Sequence, residues 1–325
     1  MTVVGLCGLH GCGKNVIAEE LISKHGFKRI YVQRASAENV LASPAPTGEA
    51  RPLTFQHVAE VFDYVTSHWM EDFVITCLQG EAEYDMLLKR PFFMILAVVA
   101  PVQARFERCA ARSPGLSLLD LVRADDEMLY GSRKLIHVLA RARLTISNGD
   151  TLDKLRDLIG RIRLDERWIR PTWDAYFMEM AELASRRSNC MKRPVGCVIA
   201  KDKRVVATGY NGTARGLTNC CEGGCPRCNS NAKTGVGLEH CFCLHGEENA
   251  LIEAGRVRTE GATLYCTTVP CLGCSQKIIQ CGIVRIVYTR EYSMEHDASE
   301  MLKATGVELV KFAHDVPRYM DASEA

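Results

Sequence analysis

The chain has 325 residues, with 40 Lys and Arg against 39 Asp and Glu, for a net charge of +1. That length fits two domains, and the near-neutral balance argues against a strongly basic nucleic-acid surface and for a small-molecule substrate. No run of about eighteen apolar residues is present to cross a membrane. The opening Met1-Thr2-Val3-Val4-Gly5 reads as a first strand rather than a signal peptide, which points to the cytoplasm, with the nucleus as the alternative.

In chain order, Val3–Cys7 is a short buried strand, Val16–His25 a helix, and Phe73–Cys77 and Phe92–Val99 are apolar runs suited to a parallel sheet. This is the βαβ rhythm of an open, doubly wound α/β sheet. Between the first strand and helix, Gly8-Leu9-His10-Gly11-Cys12-Gly13-Lys14 has the G-x-x-x-x-G-K form that cradles phosphates on backbone N–H groups. Gly8, Gly13 and Lys14 are therefore candidate nucleotide contacts, and the half resembles P-loop nucleotide and dephospho-coenzyme A kinases. Asn15 stands where a Mg²⁺-binding hydroxyl is expected, and no clear acidic Walker-B residue follows Phe73-Val74-Ile75. The expectation is a degenerate kinase-like domain that meets Mg²⁺ only with an effector nucleotide. Arg123–Glu127 reads as a lid remnant or a solvated helix, and residues 43–52 as a loop of turn formers.

Thr151–Arg170 combines many charges with Leu152, Leu155, Leu158, Ile159 and Ile162 at helical spacing, and Pro171 follows. It reads as an amphipathic helix running into a linker, which puts the boundary near residue 165 and gives domains 1–165 and 166–325. The second half reads as a helix over Trp173–Ser188, a hairpin from Val195–Ala200 and Val205–Asn211, a Cys-rich loop, a helix over His245–Ala254, a strand over Thr263–Thr267, a helix over Cys274–Cys281, a strand over Ile283–Thr289, a helix over Ser299–Thr305 and a last strand over Val307–Phe312. The expected fold is a five-stranded α/β/α sandwich.

The chemistry sits in His245-Gly246-Glu247 and Pro270-Cys271-Leu272-Gly273-Cys274. His245, Cys271 and Cys274 can hold a catalytic Zn²⁺ and leave its fourth position for water. Glu247 is not a ligand and can shuttle protons. A purely structural zinc is the competing reading, but it has no need of Glu247 and Glu248. Pro270 marks the first helical turn, so the ion is expected between two helix N-termini whose dipoles favour thiolates. The pattern H-x-E…P-C-x-x-C is the signature of zinc-dependent nucleobase deaminases.

Of the sixteen cysteines, Cys7, Cys12, Cys77 and Cys109 precede residue 170 and twelve follow it. Dense cysteines in a reducing compartment point to metal. Cys220, Cys225, Cys228, Cys241 and Cys243, with Cys190 upstream and Cys221 in the same stretch, are candidates for a second, structural zinc; buried free thiols are the alternative.

At Pro171–Met178, Asn189–Arg193, Val195–Ile199, Thr208–Thr213, Gly223–Asn229 and Cys243–Leu251 the chain resembles the deoxycytidylate (dCMP) deaminases, in particular the fungal type with an N-terminal extension. The resemblance implies a cytidine-deaminase fold, hydrolysis of dCMP to dUMP and ammonia for thymidylate synthesis, dCTP and dTTP as effectors, and a homo-oligomer, commonly a hexamer. It implies a second zinc involving the position of Cys190. It implies that Asn211 reads the deoxyribose and that Tyr292 lies near the phosphate. Two departures stand out. Gly246 replaces the family's Ala, at a helix cost of about 1 kcal/mol, and Pro194 replaces a basic residue tied to effector binding. A polynucleotide or tRNA deaminase would use the same zinc chemistry on a more basic surface. A nucleotide-binding pseudo-enzyme would not need the intact His245, Glu247, Cys271 and Cys274.

Overall fold

A computed structural model of the chain describes residues 2–33, 52–230, 232–233, 236–291, 296–314 and 316–324. It divides into two units: Met1–Arg170 with Val316–Ala325, and Pro171–Asp315. In the first unit the elements run β1 (Val3–Cys7), α1 (Lys14–His25), β2 (Lys28–Val32), β3 (Leu53–Phe55), α2 (Val58–Ser67), β4 (Phe73–Ile75), α3 (Glu81–Leu88), β5 (Phe93–Val99), α4 (Val102–Ala110), α5 (Leu118–Tyr130), α6 (Leu135–Leu139), β6 (Leu144–Ser147) and α7 (Leu152–Arg161). β1 is buried at all five residues, as a central parallel strand covered on both faces must be. One core packs Val4, Leu6 and Ile17 with Leu155 and Ile159; the other packs Val3 and Ile75 with Tyr84 and Leu135.

The second unit contains α8 (Trp173–Ser185), β7 (Gly196–Lys201), β8 (Arg204–Tyr210), β9 (Gly212–Thr213), α9 (Pro226–Asn229), β10 (Cys243–Leu244), α10 (Gly246–Ala254), α11 (Arg256–Thr259), β11 (Thr263–Thr268), α12 (Leu272–Gln280), β12 (Arg285–Arg290), α13 (His296–Ala304) and β13 (Glu308–Lys311). Its sheet has the order β13-β12-β11-β7-β8. The β11–β12 and β12–β13 pairs are parallel, and β7 is antiparallel to both β11 and β8. This is the five-stranded sheet expected from the sequence, with element ends shifted by a few residues.

The chain's last strand, β14 (Tyr319–Asp321), adds to β6 of the first unit, in the seven-stranded order β14-β6-β5-β1-β4-β2-β3. Both edges of the expected division therefore move. The break falls at Arg170/Pro171 rather than near 165, because Ile162, Leu164 and Trp168 are buried in the first core instead of forming a linker. The final residues belong to the first unit because Tyr319 pairs in register with Thr145. Arg123–Glu127 lies within α5, and Asp125 there is neither lid nor solvated face: it is buried and accepts two bonds from Arg105, at 3.0 and 2.7 Å. The loop expected over 43–52 falls, apart from Pro52, outside the described residues. Among the described residues no helix is long and apolar enough to cross a membrane.

Candidate active site

The second unit builds its site at two helix starts. His245 is the N-cap of α10 and Cys271 the N-cap of α12, both in extended backbone, and Cys274 lies in the first turn of α12. Pro270 thus stands one residue before the cap and outside the helix, not in its first turn, because Leu272 opens the helical hydrogen bonding. His245 Nδ1 is 3.4 Å from Cys271 Sγ and 3.3 Å from Cys274 Sγ. Tetrahedral zinc with bonds of about 2.0–2.1 Å to nitrogen and 2.3 Å to sulfur needs an N···S separation of about 3.6 Å. The donors therefore converge at nearly the spacing of that ion, and two positive helix ends face it.

Electrostatics at the trio favour a cation. The hydrogen bond with Cys274 pulls Cys271 down to about 4, while the same bond and burial push Cys274 up. The bond with Cys271 raises His245 to about 9. The thiols and the imidazole thus share protons that a divalent ion would displace. Glu247 is 3% exposed, and burial raises it to about 7; a metal charge beside it would pull it back down. Burial also raises the pKa of the Cys197 and Cys266 thiols, both of which sense the charge of Glu247.

Glu248 serves the scaffold. Its Oε2 accepts the N–H of His245 at 2.7 Å, and its Oε1 pairs with Lys277 on α12. Burial opposes its ionisation, but these two donors outweigh that and lower its pKa. One side chain thereby fixes the backbone of the histidine and ties the two zinc-facing helices together. Asn249 is also committed, donating to the Tyr210 carbonyl at 2.7 Å.

A cavity of about 400 Å³ opens over the trio, lined among others by Asn211, Glu247, Lys192, Arg193 and Arg227. This volume is within the range of small-ligand sites. Asn211 is 7% exposed. Its Oδ1 accepts from Ser188 Oγ (2.7 Å) and the Val195 N–H (2.8 Å), and its Nδ2 donates to the Arg193 carbonyl (2.7 Å). The amide retains one N–H for a ligand. Lys192, Arg193 and Arg227, which sequence reasoning had no means to select, are the cations of the cavity wall. Tyr292 lies outside the described residues.

The six cysteines named as second-zinc candidates come together. Two tetrads, Cys190, Cys220, Cys228 and Cys243, and Cys225, Cys228, Cys241 and Cys243, each hold their sulfurs within 4.8 Å. In the first unit Gly8 and Gly13 carry positive φ at the ends of the β1–α1 loop. Lys14 Nζ is turned onto that loop, donating to the carbonyls of Gly8 (2.6 Å) and Leu9 (2.9 Å).

Residues 171–290 match the family of the cytidine and deoxycytidylate deaminase zinc-binding region. A deoxycytidylate deaminase of Schizosaccharomyces pombe is 42% identical over 326 residues, covering 96% of this chain and 98% of its own. The chain belongs to the deoxycytidylate deaminase family. A second member, from Saccharomyces cerevisiae, is 43% identical over 269 residues, covering 78% of this chain and 85% of its own. Both spans exceed the second unit, so the family likeness reaches into the first. A solved structure of a cyanophage S-TIM5 dCMP deaminase with dCMP and dUMP is 34% identical, covering 44% of this chain and 98% of its own, with a TM-score of 0.36. As a member of this family the chain carries a zinc-binding deaminase region.

Proposed function

We propose that this protein hydrolyses dCMP to dUMP and ammonia, the activity for which its fungal relatives are named, and so supplies dUMP for thymidylate synthesis. The observation that carries the reading is the convergence of His245, Cys271 and Cys274 beside the buried carboxylate of Glu247. Zinc bound by those three side chains supplies Lewis-acid activation of water near neutral pH. Glu247 takes a proton from the attacking water and delivers it to N3 of the cytosine ring. It then takes the proton of the new C4 hydroxyl and passes it to the amine, so that the C4–N bond breaks, ammonia leaves and the oxygen remains as the carbonyl of uracil. A buried carboxylate with a raised pKa suits this work, because it can both take and return a proton near neutrality.

In this reading the remaining N–H of Asn211 meets a sugar hydroxyl, and Lys192, Arg193 and Arg227 of the cavity wall supply charge for the phosphate. The Cys-rich loop is the seat of structural zinc. The first unit, with Lys14 folded onto its own loop and Asn15 in place of a hydroxyl, is read as a nucleotide-binding remnant without phosphoryl transfer.

Ammonia release from dCMP, cytidine, dCTP and single-stranded DNA, compared side by side, tests the reading. A clear preference for dCMP is expected. Preference for the strand would favour a polynucleotide deaminase, and release from none would favour a nucleotide-binding pseudo-enzyme.

A further inference from the structure

The stretch from Cys220 to Cys243 is built around sulfur. The buried cluster at its centre is Cys220, Cys225, Cys228 and Cys243, packed by Cys190 and Cys241, and among the described residues no aliphatic or aromatic side chain belongs to it. Cys220 and Cys225 are fully buried and Cys228 and Cys243 nearly so. A loop of this length whose described core is made of cysteines needs another source of order, and metal–thiolate bonds are the usual one in small cysteine-rich segments.

The two tetrads are not alternatives of equal members. Cys190 and Cys220 belong only to the first, Cys225 and Cys241 only to the second, and Cys228 and Cys243 to both. Filling either tetrad alone would leave two thiols of the other, one buried and one half-buried, beside the shared pair with no metal. Sulfur separations also match metal coordination. Cys190–Cys228 and Cys228–Cys241 are each 3.7 Å apart and Cys225–Cys241 is 3.8 Å apart. The edge of a tetrahedron with Zn–S bonds of about 2.3 Å is about 3.8 Å, whereas a disulfide would require about 2.05 Å.

We propose that the six cysteines hold a binuclear zinc cluster, in which Cys228 and Cys243 bridge two tetrahedral ions, Cys190 and Cys220 complete one, and Cys225 and Cys241 complete the other. This rests on the reading that the loop binds zinc at all, and goes beyond it in number and in sharing. Six thiolates and two divalent cations leave a net charge of about −2, and the surroundings are arranged to meet it. The Met191 N–H points at Cys220 Sγ (3.4 Å), the Asn229 amide at the same sulfur (3.8 Å), and Arg227 Nη1 at Cys241 Sγ (4.0 Å). The cluster is joined to the catalytic chemistry by short runs of chain: Cys243 lies two residues before His245, and Arg227 of the cavity wall sits between Cys225 and Cys228.

The test counts metal on the intact, purified protein and does not depend on turnover. With one ion at the catalytic trio and two in the cluster, zinc by mass spectrometry against amino-acid analysis should be three per chain. After exchange of the cluster with cadmium, NMR should show two thiolate-bound cadmium signals coupled to each other through shared sulfurs. A count of two would overturn the binuclear cluster while leaving a single structural zinc. A count of one would overturn both, and uncoupled cadmium signals would overturn the bridging by Cys228 and Cys243. Loss of dCMP turnover with three zinc ions retained would count against the proposed activity and not against the cluster.

Discussion

An alanine at Gly209 should disable the site without touching any metal or substrate contact. Gly209 lies on β8 where the strand runs against the first turns of α10. A Cβ there would stand 2.1 Å from the carbonyl oxygen of Gly246, 2.5 Å from the N of Ala250 and 2.9 Å from its Cβ. The two closest atoms are backbone, so no rotamer change relieves the overlap. α10 must shift by about 1 Å to restore ordinary van der Waals separation, and it carries His245 and Glu247 with it. Overpacking of this kind costs about 1–3 kcal/mol, while misplacement of catalytic groups by about 1 Å costs on the order of 10²-fold in rate. Activity should therefore fall further than stability. Steady-state kcat/KM for dCMP, zinc content and thermal unfolding measured on one preparation separate the two. A variant within about twofold of the parent in kcat/KM, with unchanged unfolding, would show that β8 does not fix the position of α10.

Other variants probe the scaffold elsewhere. Glu248→Ala should cost about 1 kcal/mol of helix capping and lower kcat more than it raises KM, and Glu248→Gln, which keeps an acceptor for the His245 N–H, should recover much of the loss in the same kinetics. In the first unit, Asp125→Ala strands the buried Arg105 guanidinium and should destabilise by about 3–5 kcal/mol, read by denaturant unfolding of the full chain. Asp174 on α8 accepts Arg285 of β12 at 2.8 Å through both oxygens, and Tyr265 of β11 at 2.8 Å. The Arg285 bonds come first in holding its carboxyl below the ordinary value of 3.8. A depressed carboxylate contributes stability above its unfolded pKa and loses it as pH falls through the folded one, so this contribution is complete above about pH 4. Asp174→Asn should remove about 1 kcal/mol near neutrality, discounted for partial exposure, and should flatten the acid limb of the unfolding profile below pH 4.

The convergence of His245, Cys271 and Cys274 was legible because a histidine and a C-x-x-C pair, each at a helix start, meet where those two starts lie together, and the structure has His245 and Cys271 at the N-caps. The alternation of apolar runs likewise indicated both sheets. What the sequence hid depends on contacts between distant or very short segments. β14 is three residues long and lies against β6, far back in the chain, so no periodicity announces it. Glu247 and Glu248 are neighbours of identical chemical type, and only the path of α10 turns one inward and the other toward Lys277. Arg105 and Asp125 sit on different helices, so a run of charges that reads as a lid remnant or a solvated helix hides one member of a buried pair. The overlap of the two cysteine tetrads follows from how the 220–243 loop closes onto Cys190, which spacing does not encode.

The central claim is that Glu247 moves protons at a zinc held by His245, Cys271 and Cys274. Glu247→Gln tests it most directly, with zinc content and dCMP turnover measured on the same purified protein beside His245→Ala. The account predicts that Glu247→Gln keeps the parent's zinc and loses turnover by at least the roughly 10²–10⁴-fold typical of general acid–base catalysis, while His245→Ala loses both the catalytic ion and turnover. Zinc loss in Glu247→Gln equal to that in His245→Ala, or turnover near the parent's, would contradict it.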